Sequence, residues 1–206
     1  ADLADAVGAK PAPSRRSSLR RPELALGAMT PDALAQSLAA LLPENAIVCD
    51  EAVTTGRPFY PALATAAPHD YLALTGGAIG IGLPMAAGAA IACPDRKVVL
   101  LQADGSGLYT VQSLWTHASE NLDILTIVFA NNAYGILRNE LKNVGIEQAG
   151  ANAIRMLSFN QPPIDWVSIA KGFGVPATRV ETMEAFNAAV STGLGRKGPA
   201  LVMVAL

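Results

Sequence analysis

The sequence predicts an α/β fold, a mostly parallel sheet with helices on both faces. Three observations carry this. Residues 46–49, 97–101, 124–129 and 200–206 are short runs, apolar but for Lys97 and Thr126, the pattern of strands buried on both sides. Between them lie helical patterns, so the chain alternates as βα units do. Two of the runs pass straight into polar turns, Ala103-Asp104-Gly105-Ser106 and Asn131-Asn132, and such sheets place their ligand sites at strand ends of this kind.

Taken in order, residues 1–28 read as a linker or flexible tail, rich in Ala, Pro, Ser and Arg and without sustained periodicity. Arg15, Arg16, Arg20 and Arg21 make a basic run, either a solvated linker face or an anion-binding arm. One domain follows, residues 29–206. Thr30-Pro31-Asp32 starts a helix with an N-cap, a first-turn Pro and an acid near the positive end. Leu34, Leu38, Leu41 and Leu42 share one face of it, and Pro43 stops it. A strand at 46–49 leads into a loop at 50–56. A strand at 71–74, a Gly-rich turn at 75–82 and a small-residue helix at 83–92 come next. After the strand at 97–101, a helix over about 107–120 turns Leu108, Val111, Leu114, Trp115 and Ala118 inward and leaves His117 on a polar or intermediate face. The strand at 124–129 is followed by a helix at 136–144, a long loop at 145–163, a helix at 165–173, a strand at 178–180, a helix at 183–194 and the last strand. A loop of that length points to function or mobility.

Composition narrows the function. The chain has 206 residues, enough for one well-cored domain, and is 51% apolar and 16% charged. The low charge suggests faces covered by other domains or subunits. A net charge of −2 gives no reason to expect nucleic acid. Cys49 and Cys93 sit in or beside apolar segments and read as free buried thiols, compatible with a cytoplasmic location. Residues 71–93 carry no charge and are long enough to span a bilayer. They also hold five Gly and Pro84, and read better as strand, turn and buried helix.

Asp104 lies between a buried strand and a helix that Gly105, Ser106 and Gly107 open. Backbone N–H groups and the Ser hydroxyl there form a phosphate cradle. Asp104 alone is equally a helix cap, and an Asn at a strand end is often a turn former. Their pairing is the signal: a carboxylate and an amide make an oxygen-only site suited to Mg²⁺ with a phosphorylated ligand. Neither Gly80-Ile81-Gly82 nor Gly105-Ser106-Gly107 completes G-x-G-x-x-G, and G-x-x-x-x-G-K-[ST] is absent. A flavodoxin-like nucleotide binder, without Mg²⁺ dependence, is the reading from another class. His69 and His117 lack a metal-ligand partner at suitable spacing, and no catalytic residue is assigned within the chain.

Asp104-Gly105-Ser106, with Asn131 27 residues on, resembles the thiamine diphosphate motif, G-D-G followed by Asn. The stretch from Thr75-Gly76-Gly77 to Leu83-Pro84 resembles the family's Gly-rich turn, and Asn131-Asn132-Ala133-Tyr134-Gly135 its metal loop. The similarity covers about residues 30–206 and is to the C-terminal, diphosphate-binding domain of enzymes grouped with acetolactate synthase and benzoylformate decarboxylase. The resemblance implies thiamine diphosphate and Mg²⁺ as cofactors. It implies Mg²⁺ ligands at the Asp104 and Asn131 side chains and the Ala133 carbonyl, and diphosphate contacts from Thr54, Gly105, Ser106 and Tyr134. Ile79 matches the apolar residue under the bent cofactor, and Gly77 the carbonyl that meets the aminopyrimidine. The sequence departs from the family at Ala103, usually Gly, where a methyl would crowd a turn of unusual backbone angle.

The resemblance further implies a 2-keto acid substrate, with decarboxylation and carboligation as in acetolactate synthase. A simple decarboxylase of benzoylformate type and a non-catalytic module that keeps the fold are the alternatives. The cofactor carries the chemistry, and its activating Glu belongs to a pyrimidine-binding domain that nothing here resembles. The chain alone is therefore expected to be inactive. That domain would come from the same longer chain or a neighbouring subunit, in a homo-oligomer, with neither nucleic acid nor membrane as partner.

Overall fold

The structure is a computed structural model that describes residues 5–8 and 20–206. Arg15 and Arg16 lie outside the described residues. Six strands form one parallel sheet in the order β2-β1-β3-β4-β6-β5: β1 Ile47–Glu51, β2 Asp70–Ala73, β3 Val98–Ala103, β4 Ile124–Ala130, β5 Ala177–Val180 and β6 Ala200–Ala205. The fold is the α/β class the sequence predicts.

Because successive strand residues point to opposite faces, β1, β3, β4 and β6 each feed two cores. Val48, Val99, Leu101, Ile127 and Val204 face one side, against α1 (Pro31–Leu41), α3 (Phe59–Leu63) and α10 (Met183–Gly195). Cys49, Val98, Leu100, Val128 and Met203 face the other, against α4 (Gly82–Ala92), α6 (Ser113–Ser119) and α9 (Trp166–Gly172). The remaining helices are α2 (Val53–Gly56), α5 (Asp104–Gly107), α7 (Gly135–Asn143) and α8 (Ala151–Met156). The 71–93 stretch divides into β2, a turn and the 11-residue α4. Among the described residues no helix is long and apolar enough to cross a membrane.

Local chemistry sets the ends. The N–H of Ala33 donates to Thr30 Oγ1 at 3.2 Å, capping α1, and that of Ser168 donates to Asp165 Oδ1 at 3.0 Å, capping α9. Residues 20–28 carry neither helix nor strand, yet they lie against α1 and α10. The N–H of Ala25 donates to Ser37 Oγ, its carbonyl accepts from Asn187 Nδ2, and Arg21 donates to the Leu42 carbonyl.

Three expectations are corrected. The helix over 107–120 is split into α5, a 3₁₀ turn at Leu108–Thr110, and α6. The tighter turn shifts the helical phase, so Trp115 is 61% exposed while His117 is buried and bonded through Nε2 to the Leu83 carbonyl. The loop over 145–163 contains α8, and that over 50–56 contains α2.

The chain leaves β1 for β2 on one side and returns across β1 to β3 on the other. The connections diverge there, opening a crevice beyond the carboxyl ends of β1 and β3.

Candidate functional site

The turns that leave β1, β3 and β4 enclose a cleft of about 260 Å³, with Ile79 and Tyr109 completing its wall. Ala103 enters the β3 turn in extended backbone, φ −83° and ψ 149°, which any residue adopts, so its methyl crowds nothing by backbone angle.

Asp104 follows, 2% exposed. Its Oδ1 accepts from the N–H of Gly105 at 2.8 Å and its Oδ2 from the N–H of Asn132 at 2.7 Å, which ties the β3 turn to the β4 turn. A carboxylate offers about four acceptor positions, so capacity remains for another partner. Burial pushes the Asp104 carboxyl up to about 6, against the pull of backbone N–H groups at Asn132 and Gly105. The ion pairs among the described residues lie elsewhere. A cation placed against this carboxylate would reverse the shift.

Gly105 packs against the Tyr134 ring, where a Cβ would come within 2.8 Å. That ring is held edge-on by Phe159 at 4.3 Å between centroids. Ser106 is buried, its Oγ accepting from Gln102 Nε2 at 2.7 Å.

The Asn pair divides its work. Asn131 is on the cleft, and its Oδ1 accepts from the N–H of Ala133 at 3.0 Å. Asn132 adopts φ 53°, a left-handed turn conformation that Asn tolerates. Its N–H holds Asp104, its carbonyl accepts from the N–H of Phe159 at 2.7 Å, and it is absent from the lining. Beside Thr54, Val53 is held at φ 47°. A β-branched residue there stores about 1–3 kcal/mol of strain, and such strain clusters at sites.

Of the residues singled out from sequence, Thr54, Ile79, Asp104, Gly105, Ser106, Asn131, Ala133 and Tyr134 line this one cleft. Gly77, at φ 69°, lies on the turn that carries Ile79 but outside the lining. His69 and His117 are also outside it. Sequence reasoning missed Tyr109 and Leu137 on the wall, and Glu51, whose signal was an acid at a strand end. Among the described residues no group of three or more His, Cys, Asp or Glu could hold a metal. A cation here would use one carboxylate, an amide oxygen and a carbonyl, leaving positions for ligand oxygens and water. That hard, oxygen-only donor set fits Mg²⁺ with a phosphorylated ligand.

Fold and cleft together define an α/β ligand-binding domain with its site at strand ends. The chain belongs to the thiamine pyrophosphate enzyme family, whose C-terminal TPP-binding domain matches residues 58–204. Over 185 residues it is 48% identical to the "Putative acetolactate synthase large subunit IlvX" of Mycobacterium tuberculosis, covering 89% of this chain and 36% of that protein. It is 30% identical over 178 residues to benzoylformate decarboxylase of Pseudomonas aeruginosa, covering 86% and 32%. The solved thiamine diphosphate-dependent 4-hydroxybenzoylformate decarboxylase of Rhodococcus jostii RHA1 superposes with a TM-score of 0.77 at 32% identity, over 94% of this chain and 36% of that one. The chain thus spans about a third of the length of the relatives it matches.

Proposed function

We propose that this chain is the diphosphate- and Mg²⁺-binding domain of a thiamine diphosphate enzyme that decarboxylates a 2-keto acid and joins the product to a second one, as acetolactate synthases do. The observation that carries the reading is the Asp104–Asn132 bond. It joins two strand-end turns so that Asp104, Gly105, Ser106 and Asn131 line one cleft. The 48% identity to the acetolactate synthase-named relative supports the choice of reaction.

In this reading Asp104 and Asn131 hold Mg²⁺ through side-chain oxygens and Ala133 through its carbonyl. Gly105, Ser106, Tyr134 and Thr54 orient the diphosphate, Ile79 supports the ring end from below, and Gly77 offers its carbonyl to the aminopyrimidine. The bound cofactor supplies the electron sink for decarboxylation. The activating Glu comes from a pyrimidine-binding domain, in a longer polypeptide or a neighbouring subunit of a homo-oligomer. The greater length of the relatives supports this. The free thiols Cys49 and Cys93 are compatible with a cytoplasmic site of action.

A simple decarboxylase is the second reading, favoured by the superposition on 4-hydroxybenzoylformate decarboxylase. Product analysis separates the two. The protein with its pyrimidine-binding domain, given Mg²⁺ and thiamine diphosphate, is offered a small aliphatic 2-keto acid or benzoylformate. CO₂ release with a joined hydroxy-keto acid supports the synthase reading. Release with free aldehyde alone supports the decarboxylase, and no release from either sinks both.

A further inference from the structure

The Gly-rich turn before α4 is held by a residue far behind it in the chain. Glu51, the last residue of β1, is 1% exposed. Its Oε1 accepts from the N–H of Gly80, and its Oε2 from that of Gly82 at 2.6 Å. Oε2 also accepts from Gln102 Nε2 at 3.1 Å, and the same nitrogen donates to Ser106 Oγ at 2.7 Å. From the other side, Thr110 Oγ1 donates to the Gly80 carbonyl at 2.8 Å. Gly80 is therefore gripped at both its N–H and its C=O, in a φ of 96° that favours glycine. Its neighbour Ile79 reaches the cleft.

α4 has neither a capping side chain of its own nor an acid in its first turn. Glu51 supplies both the acceptor and the negative charge that a helix N-terminus favours. Gly82 leaves the room for this, since a Cβ there would collide with the Glu51 carboxylate and the Gln102 amide oxygen.

We infer that Glu51, with Thr110, is a positioning residue: it ties the turn bearing Ile79 to the turn bearing Asp104 and Ser106, and so fixes the spacing between apolar support and diphosphate donors. This rests on the thiamine diphosphate reading above. Every side-chain and backbone group hydrogen-bonded to the carboxylate is a donor. Glu51→Gln keeps the shape but turns an NH₂ group against an N–H, breaking one bond and facing donor to donor.

The test titrates thiamine diphosphate and inorganic pyrophosphate, each with Mg²⁺, into the protein together with its pyrimidine-binding domain. Glu51→Gln is expected to weaken thiamine diphosphate about tenfold and pyrophosphate less than about twofold, the scale of one lost buried hydrogen bond. Thr110→Val acts in the same direction, about threefold on thiamine diphosphate, and carries the test if thermal unfolding shows that Glu51→Gln does not fold. Unchanged thiamine diphosphate affinity in the folded variants, or equal losses for both ligands, overturns the inference alone. Wild-type protein that binds neither ligand overturns the cofactor reading and the inference with it.

Discussion

The polar and apolar walls of the cleft are in different states. Asp104, Ser106 and Ala133 are buried, and each is hydrogen-bonded to neighbouring groups. Ile79, Tyr109 and Leu137, on the same cleft, are 42%, 62% and 45% exposed. One exposed apolar side chain is ordinary, but several gathered on one concave surface mark a place that something covers. The difference teaches where the proposed function puts its second body: the buried polar groups around Asp104 are tied within this chain, while the apolar side chains, with Asn131 beside them, stay exposed. The relatives' greater length agrees with that.

The sharpest way to break this comparison is Asp104→Ala. Mg²⁺-dependent thiamine diphosphate binding should fall by more than about 100-fold, beyond the loss typical of an outer-shell partner. Calorimetry with the full protein measures it, and a loss under tenfold contradicts the polar-wall assignment.

The Asn pair offers the next contrast. Asn131→Ala should weaken Mg²⁺ binding about tenfold, by removing one ligand oxygen. Asn132→Ala should act mainly on thermal stability, by about 1–2 kcal/mol, because Ala loses the tolerance for a left-handed φ. The reverse outcome would assign the ligand to Asn132.

Ile79→Ala probes the apolar wall. With the pyrimidine-binding domain present, it should weaken thiamine diphosphate about tenfold, the effect expected if roughly two of the three carbons removed are buried by the ligand. Pyrophosphate affinity should stay unchanged.

A control far from the cleft is Gly193→Ala. A Cβ at that position would come within 2.6 Å of Leu125 in the core. Such overpacking costs about 1–3 kcal/mol, so the thermal midpoint drops while cofactor affinity in the folded protein does not.

The smallest effect concerns His117, which anchors α6 to the start of α4 through the Leu83 carbonyl. Burial lowers its pKa, and the bond to Leu83 only partly offsets this. The folded state therefore keeps it neutral while the unfolded state takes up a proton. That stability is full above the unfolded value of about 6.5 and is lost as pH falls towards the folded one. Melting curves at successively lower pH should show the midpoint falling, and His117→Gln should flatten the dependence.

Much of this arrangement was legible in the chain. The strand β6 is a continuous apolar run, β3 and β4 are apolar apart from Gln102 and Thr126, and Thr30 caps α1 as its sequence position implies. Asp104 and Asn131 could be found because each follows its strand directly. Trp115 and His117 were assigned to the wrong faces because the 3₁₀ turn at Leu108–Thr110 breaks a period that reads as unbroken in sequence. α8 was hidden because it is six residues long and its N-cap, Gly150, makes no side-chain cap. Glu51 shows in sequence only as an acid at a strand end; its role is hidden because its partners lie 29 and 31 residues ahead, and the fold brings them together.

The most direct test uses the 206-residue chain alone, titrated by calorimetry with pyrophosphate and with thiamine diphosphate, with and without Mg²⁺. A polar wall tied within this chain beside an exposed apolar one predicts that both ligands bind only with Mg²⁺, with affinities within about threefold of each other, under 1 kcal/mol. Thiamine diphosphate binding more than about tenfold tighter than pyrophosphate, or binding that survives removal of Mg²⁺, would contradict it.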